Sequence, residues 1–206
     1  MPKKEVPIKQ LSDYLPDCSA DEVINYLNQY KVHLTITRKR SSILGDYRNA
    51  HSGKPHRISV NGNLNKYSFL ITLLHELAHL LTFEKYAHRA APHGKEWKMI
   101  FGQLLAKFIL KKIFPIEIEN ALQKTLKNPA ASSCGDITLL RVLRNFDTVK
   151  EDCYLIEQLS EGTTFTIKDG RTFILGKKNR TRYNCEELGT KKRYLFSGLY
   201  EVQLTN

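Results

Sequence analysis

Phe69-Leu-Ile-Thr-Leu-Leu-His75-Glu76-Leu-Ala-His79-Leu-Leu-Thr-Phe83 sets two histidines and a glutamate inside an almost wholly apolar run. Its apolar side chains fall on every side of a 3.6-residue repeat, which predicts a buried helix over about residues 64–83. His75 and His79 stand at i and i+4, on one helical face with Cβ atoms about 5–6 Å apart. Two imidazoles so placed can both reach a Zn²⁺ at about 2.0–2.1 Å. Glu76 sits one residue round, where its carboxylate can take a proton from an activated water. Burying His, Glu and His among leucines costs several kcal/mol unless something pairs with them, and a metal with its water does so. A catalytic zinc needs a third protein ligand and an open fourth position. Lys85 occupies the position six residues after His79, so the candidates are Glu96, His88 and His93. His93 is preferred. Pro92 and Gly94 frame it at a sharp break directly before a second long helix, which lets the chain turn back toward the first. His88, beside Arg89 and near Tyr86, reads as a solvent-facing or supporting group.

Outward from this helix the chain divides by pattern. Ser19-Ala20-Asp21-Glu22 has the form of a capping box and opens a helix that ends near Tyr30. Strand-like pieces follow at 31–39, 43–48 and 57–60, the last running into Asn61-Gly62, a turn signal with φ > 0 positions. They predict a small antiparallel sheet. Beyond the central helix, further helices are expected over 95–113 and 116–126. Residues 127–158 read as a linker or connecting segment, Pro- and Ser-containing at its start. Five short strands then fill 163–204, separated by Gly- and Lys-rich turns, and predict a small SH3- or OB-like β-barrel. The fold class is therefore α+β. A domain over 1–126 holds the small sheet and the buried H-E-x-x-H helix, and a basic barrel spans 159–206.

Length and composition bound the function. The chain has 206 residues, 41% hydrophobic and 26% charged, as in an ordinary globular protein. No apolar run reaches the roughly 18–20 residues of a membrane span. The N-terminal lysines precede no apolar stretch, so no secretory signal is expected, and the four cysteines have no C-x-x-C pairing. Reduced thiols in a cytoplasmic protein are the expectation. Thirty-two basic against twenty-one acidic residues give a net charge of +11, a field that favours polyanions, nucleic acid above all. Arg38, Lys39 and Arg40 form one basic run, and Lys177, Lys178, Arg180 and Arg182 another; both are candidates for phosphate contacts with DNA or RNA. Tyr183, Tyr194 and Phe196 interleave with the second run, as stacking residues or as strand core.

His75-Glu-Leu-Ala-His79, then His93-Gly94-Lys95-Glu96-Trp97, resembles the SprT-like zinc metallopeptidase family, related to Spartan, the protease that clears proteins crosslinked to DNA. Leu44-Gly45-Asp46-Tyr47-Arg48 and Arg57-Ile58-Ser59-Val60-Asn61 are similar to that family's sheet segments. The likeness covers about residues 20–115. It implies a zincin-like catalytic domain with one Zn²⁺ per chain, held by His75, His79 and His93. It also implies Glu76 as catalytic base, Trp97 packed beside the site, and a nucleic-acid-associated protein substrate. An exposed edge of the sheet would align an extended substrate. Many members end in a four-cysteine zinc ribbon, whereas this chain has single cysteines, Cys134 and Cys185 among them, which read as small buried hydrophobes. The barrel looks like a replacement module. The alternative implied is a transcription-elongation-type, nucleic-acid-binding factor with structural zinc and vestigial or no peptidase activity.

Overall fold

The computed structural model describes residues 8–40, 42–126, 129, 136–148 and 152–205. It is α+β and splits into two compact units, one ending at Asp147 and the other starting at Thr148. The N-terminal unit carries helices α1 (Ala20–Gln29), α2 (Lys66–Tyr86), α3 (Lys95–Leu110), α4 (Ile116–Thr125) and α5 (Ile137–Arg144). Its strands are β1 (His33–Thr37), β2 (Gly45–Arg48) and β3 (Arg57–Asn61). Helix α2 is the axis of this unit. Phe69, Leu70, Leu73, Leu74, Leu77, Ala78 and Leu80 are all fully buried, so the helix is enclosed on every side as its all-round apolarity predicts. Asn65 caps it, its Oδ1 accepting the Ser68 N–H at 2.9 Å.

The sheet is mixed, not antiparallel. Its order is β1-β3-β2, with β1 parallel to β3 and β2 antiparallel to it. Alternation identifies strands but not their neighbours, and here the consecutive strands β1 and β2 lie on opposite sides of β3. The connection between them is bolted across the end of β3 by Arg40. Its Nε donates to Asn61 Oδ1 at 2.7 Å and its Nη1 to Ser59 Oγ at 3.0 Å, while Nη2 reaches the Leu44 carbonyl at 3.3 Å. Asn61, 1% exposed, also donates through Nδ2 to the Ile43 carbonyl at 2.9 Å and accepts from Thr37 Oγ1 at 3.0 Å. The Asn61-Gly62 turn with positive φ does not form. Gly62 instead continues the pairing, its N–H donating to the Thr37 carbonyl at 2.8 Å.

Two local readings change in the structure. α1 begins where expected, but Ser19 is no side-chain cap: its hydroxyl turns back to the Pro16 carbonyl at 2.6 Å. Glu22 is drawn away by Lys107 of α3 and Lys111 at its C-terminal cap. Residues 127–158, read as a connecting segment, contain α5, whose N-cap Asp136 accepts from the Thr138 and Leu139 N–H groups. Leu139 and Leu143 are buried in the core of the N-terminal unit.

The C-terminal unit holds strands β4 (Tyr154–Leu155), β5 (Thr164–Thr166), β6 (Thr172–Asn179), β7 (Arg182–Glu187), β8 (Arg193–Ser197) and β9 (Glu201–Leu204). They form an antiparallel sheet of order β4-β9-β5-β6-β7-β8. The expected barrel is therefore an open sheet. Closure needs a ladder between the two edge strands, but β4 offers two residues and pairs with β9, while β8 pairs with β7. Phe165, Phe173, Leu175, Cys185, Phe196 and Val202 form its core.

Asn61→Ala should cost about 2–3 kcal/mol, because it strands a charged guanidinium donor and a loop carbonyl in half-buried surroundings. Urea unfolding followed by the fluorescence of Trp97, the chain's sole tryptophan, measures this; an unchanged midpoint would show that Arg40 and the loop find other partners.

Candidate metal centre

Helix α2 brings His75 and His79 to one face, and the turn before α3 brings His93 to meet them. The three Nε2 atoms stand 3.2 Å (75–79), 3.0 Å (79–93) and 3.2 Å (75–93) apart. Among the described residues this is the group of histidine, cysteine and carboxylate side chains close enough to hold a metal ion. Nitrogens at that spacing leave a point about 2 Å from each, the Zn–N distance, and three imidazoles are a donor set suited to Zn²⁺. The donor set fits the ion.

The turn that supplies His93 is locally constrained. His93 has φ 56°, in the left-handed region where a non-glycine residue is strained. Gly94 follows, its N–H bonded to the Ala91 carbonyl at 2.9 Å, and a Cβ there would lie 2.9 Å from that same oxygen. Helix α3 starts at once, so Trp97 lands beneath the rings. Its centroid is 4.7 Å from His75, 5.2 Å from His79 and 4.7 Å from His93. Trp97 is fully buried, and its Nε1 has no hydrogen-bond partner among the described residues. Phe101 adds an edge contact to His75 at 5.4 Å.

This half-buried setting over an apolar floor governs protonation. Burial, reinforced by the charges the neighbouring imidazoles would carry, pushes His75 down to about 3. Burial and then His93 push His79 down to about 4, and burial also lowers His93. All three are thus neutral at neutral pH, the form that ligates. Glu76 moves the other way, up to about 8, from burial first and the Asp46 carboxylate second, with Arg40 opposing. A cation on the histidines would favour its ionised form.

Strand β2 covers the site. Gly45 lies against the Glu76 carboxylate so closely that a Cβ would meet Glu76 Cδ at 2.9 Å. Two residues on, the Tyr47 ring lies parallel to His79 with centroids 6.4 Å apart. His56 stacks on Tyr47 at 5.9 Å, and its Nε2 stands 3.2 Å from Glu84 of α2. Tyr47, His56 and Glu84 carry no sequence signal of their own; only the Leu44–Arg48 resemblance pointed near them.

The other candidates are placed as follows. His88 packs edge-on to Phe83 at 5.3 Å, and Glu96 faces Lys95 at 3.7 Å; neither joins the histidine group. Arg38 and Lys39 are exposed, whereas Arg40 is engaged in the clamp on β3. Lys177, Lys178, Arg180 and Arg182 are all exposed at the tip of the β6–β7 hairpin. Tyr183 and Tyr194 are half-buried against the core, Phe196 is buried, and Lys178 Nζ lies 5.5 Å over the Tyr183 ring. Cys185 is a core side chain whose thiol burial pushes up to about 11; Cys134 lies outside the described residues.

Helix, covering strand and histidine group form a candidate metal site on an α+β unit. Residues 18–120 match the sequence model of the SprT-like family, and the chain belongs to that family. Protein SprT of Proteus mirabilis is 37% identical over 82 residues, 39% of this chain and 46% of that protein. Protein SprT of Yersinia pestis is 33% identical over 78 residues, 37% of this chain and 45% of that protein. Protein SprT of Yersinia pseudotuberculosis strain IP 31758 is 30% identical over 125 residues, 57% of this chain and 72% of that protein. The chain thus spans just under half the length of the first two relatives. No solved structure matches significantly. Among the described residues no helix is long and apolar enough to cross a membrane.

The depressed histidines predict a pH dependence of the metal-free protein. Unfolded histidines take protons below about 6.5, whereas folded His75 and His79 resist until about 3 and 4. Their contribution is complete above 6.5 and is lost as pH falls through that window, at up to about 1.4 kcal/mol per pH unit for each group. Glu76 acts oppositely: its contribution is present below the usual carboxylate range and lost as pH rises through about 8. In urea titrations of metal-free protein, His75→Asn should flatten the slope of stability between pH 6.5 and 4. An unchanged slope would mean that His75 titrates normally.

Proposed function

We propose that the protein is a zinc-dependent peptidase of SprT type, with a zincin-like site on its N-terminal unit. The single observation that carries this reading is the convergence of three histidine Nε2 atoms beside Glu76 under the edge strand β2. His75, His79 and His93 would hold the ion. Zinc, when bound, supplies a Lewis acid that makes water nucleophilic near neutral pH and polarises a peptide carbonyl. The chain supplies the rest. Glu76, on the helix that carries two of the ligands, takes the proton from the attacking water and passes it to the departing amide nitrogen. Gly45 brings bare backbone against that carboxylate. β2 pairs on one side only, so its outer edge can receive an extended peptide in register with Glu76. Trp97 keeps the floor of the site dry and the imidazoles fixed.

The partner we propose is protein bound to DNA or RNA, in the cytoplasm. Four exposed cations on one hairpin tip support it, as does the overall charge of +11. The nucleic-acid-binding factor with structural zinc rests on the same tip but leaves Glu76, buried beside the ligands, without a task.

Glu76→Gln should retain one zinc per chain by metal analysis while peptide hydrolysis falls by at least about a hundredfold. His93→Ala should lose the metal and His88→Ala keep it. Zinc lost from Glu76→Gln, or kept by His93→Ala, would break the assignment of roles. Changing Lys177, Lys178, Arg180 and Arg182 to Glu should weaken nucleic-acid binding and flatten its salt dependence, by about 0.9 in log–log slope for each duplex phosphate no longer neutralised. An unaltered slope would remove the tip from the interface.

A further inference from the structure

We infer that Tyr47, His56 and Glu84 form a positioning relay that holds strand β2 and the ring of His79 in fixed relation over helix α2. The inference rests on the metal-centre reading above and extends it to residues outside the ligand and base set. Successive strand side chains point to opposite faces, so Gly45 and Tyr47 share the face of β2 turned to α2. Gly45 has no side chain. Tyr47 is therefore the β2 side chain through which the strand meets the helix, and its ring lies 4° from parallel with that of His79.

What holds Tyr47 is a set of directed hydrogen bonds. The Ala50 backbone N–H stands 3.2 Å from His56 Nδ1, and a backbone N–H can only donate. Nδ1 is thus an acceptor, and the imidazole proton sits on Nε2. The Tyr47 hydroxyl, 3.0 Å from Nδ1, donates to it as well. Nε2, the nitrogen that carries the proton, lies 3.2 Å from Glu84 Oε1, an ion-pair distance that places a carboxylate of α2 beside it. His56 is buried and also meets Phe83 edge-on at 6.0 Å. The relay ties together the edge strand (Tyr47), the turn after it (Ala50), the residue before β3 (His56) and the last turn of α2 (Glu84). It touches neither the attacking water nor the bond to be cut, so these are positioning residues. They act through His79 and through the placement of β2.

The test uses the full chain loaded with Co²⁺, whose visible bands report ligand geometry without requiring turnover. Tyr47→Phe removes the hydroxyl and keeps the ring; His56→Ala removes the acceptor; His56→Asn returns an oxygen near the position of Nδ1. Tyr47→Phe and His56→Ala should each shift the Co²⁺ bands and weaken Co²⁺ affinity about tenfold, as loss of supporting groups around metal ligands does. The double variant should equal either single one, because both break one chain of hydrogen bonds. His56→Asn should restore most of the affinity. Far-ultraviolet dichroism and Trp97 emission check folding, and Tyr47→Phe, which removes one oxygen, carries the test if His56→Ala does not fold. Unchanged bands and affinity in folded Tyr47→Phe, or full additivity in the double variant, would overturn the relay while leaving the metal site standing. Failure of the unaltered protein to bind Co²⁺ would overturn the metal reading and the relay with it.

Discussion

Three half-buried imidazoles and one buried carboxylate sit on an apolar floor, and most of the N-terminal unit is arranged around that constraint. Helix α2 is apolar all round, so its polar residues have no solvated face to turn to. Trp97 and Phe101 close the side from which α3 approaches. An unpaired imidazolium in such a place costs far more than a neutral ring, so His75 and His79 lose their protons well into the acid range and His93 is lowered in the same direction. The same burial drives Glu76 toward its protonated form. A divalent cation would reconcile the two, taking the nitrogens as ligands and favouring the ionised carboxylate beside them. The polar residues and the greasy helix are thus a single design, and each half makes physical sense only with the other.

That design leaves the position of β2 as the next problem. The strand has four residues and a neighbour on one side only, yet it must lie directly on Glu76. Glycine at position 45 permits the approach, and two separate fastenings maintain it. At one end Arg40 and Asn61 pin the loop that feeds the strand to the end of β3. At the other, Tyr47 is held by His56. Arg40 shows how a basic residue can be read wrongly from charge alone: its guanidinium is consumed by an amide, a hydroxyl and a backbone carbonyl, so it serves the site through structure.

Much of this was legible in the sequence because its physics is local. The i, i+4 spacing of His75 and His79, the all-round apolarity of α2 and the Pro92–Gly94 break around His93 each act over a few residues. The elements that escaped depend on distant partners. β3 lies between β1 and β2 because of pairings some twenty residues apart, such as Arg40 with Asn61. Ser19 and Glu22 have the capping-box spelling, but a nearby carbonyl and two lysines at the C-terminal end of α3 compete successfully for them. α5 is eight residues long and follows a turn-like stretch, so its pattern is too short to stand out before Leu139 and Leu143 are seen in the core. The C-terminal strands announced themselves by alternation, but whether a sheet closes depends on its edges meeting, and β4 is too short to be read at all. Tyr47, His56 and Glu84 come from three elements and form no motif.

The third histidine shows why the candidate site needs a loop as well as a helix. One helical face can offer two imidazoles to an ion through i and i+4, and the next position on that face has already moved away around the axis. A third ligand must arrive on a separate segment, which has to reverse direction within the length of a turn. At His93 that reversal takes the form of a left-handed backbone, φ 56°, a strained conformation for any residue with a Cβ. Gly94 gives the room for the chain to leave, and the helix that follows sets Trp97, four residues after His93, under all three rings. The strained turn therefore does two things at once: it delivers the third imidazole and it delivers the floor.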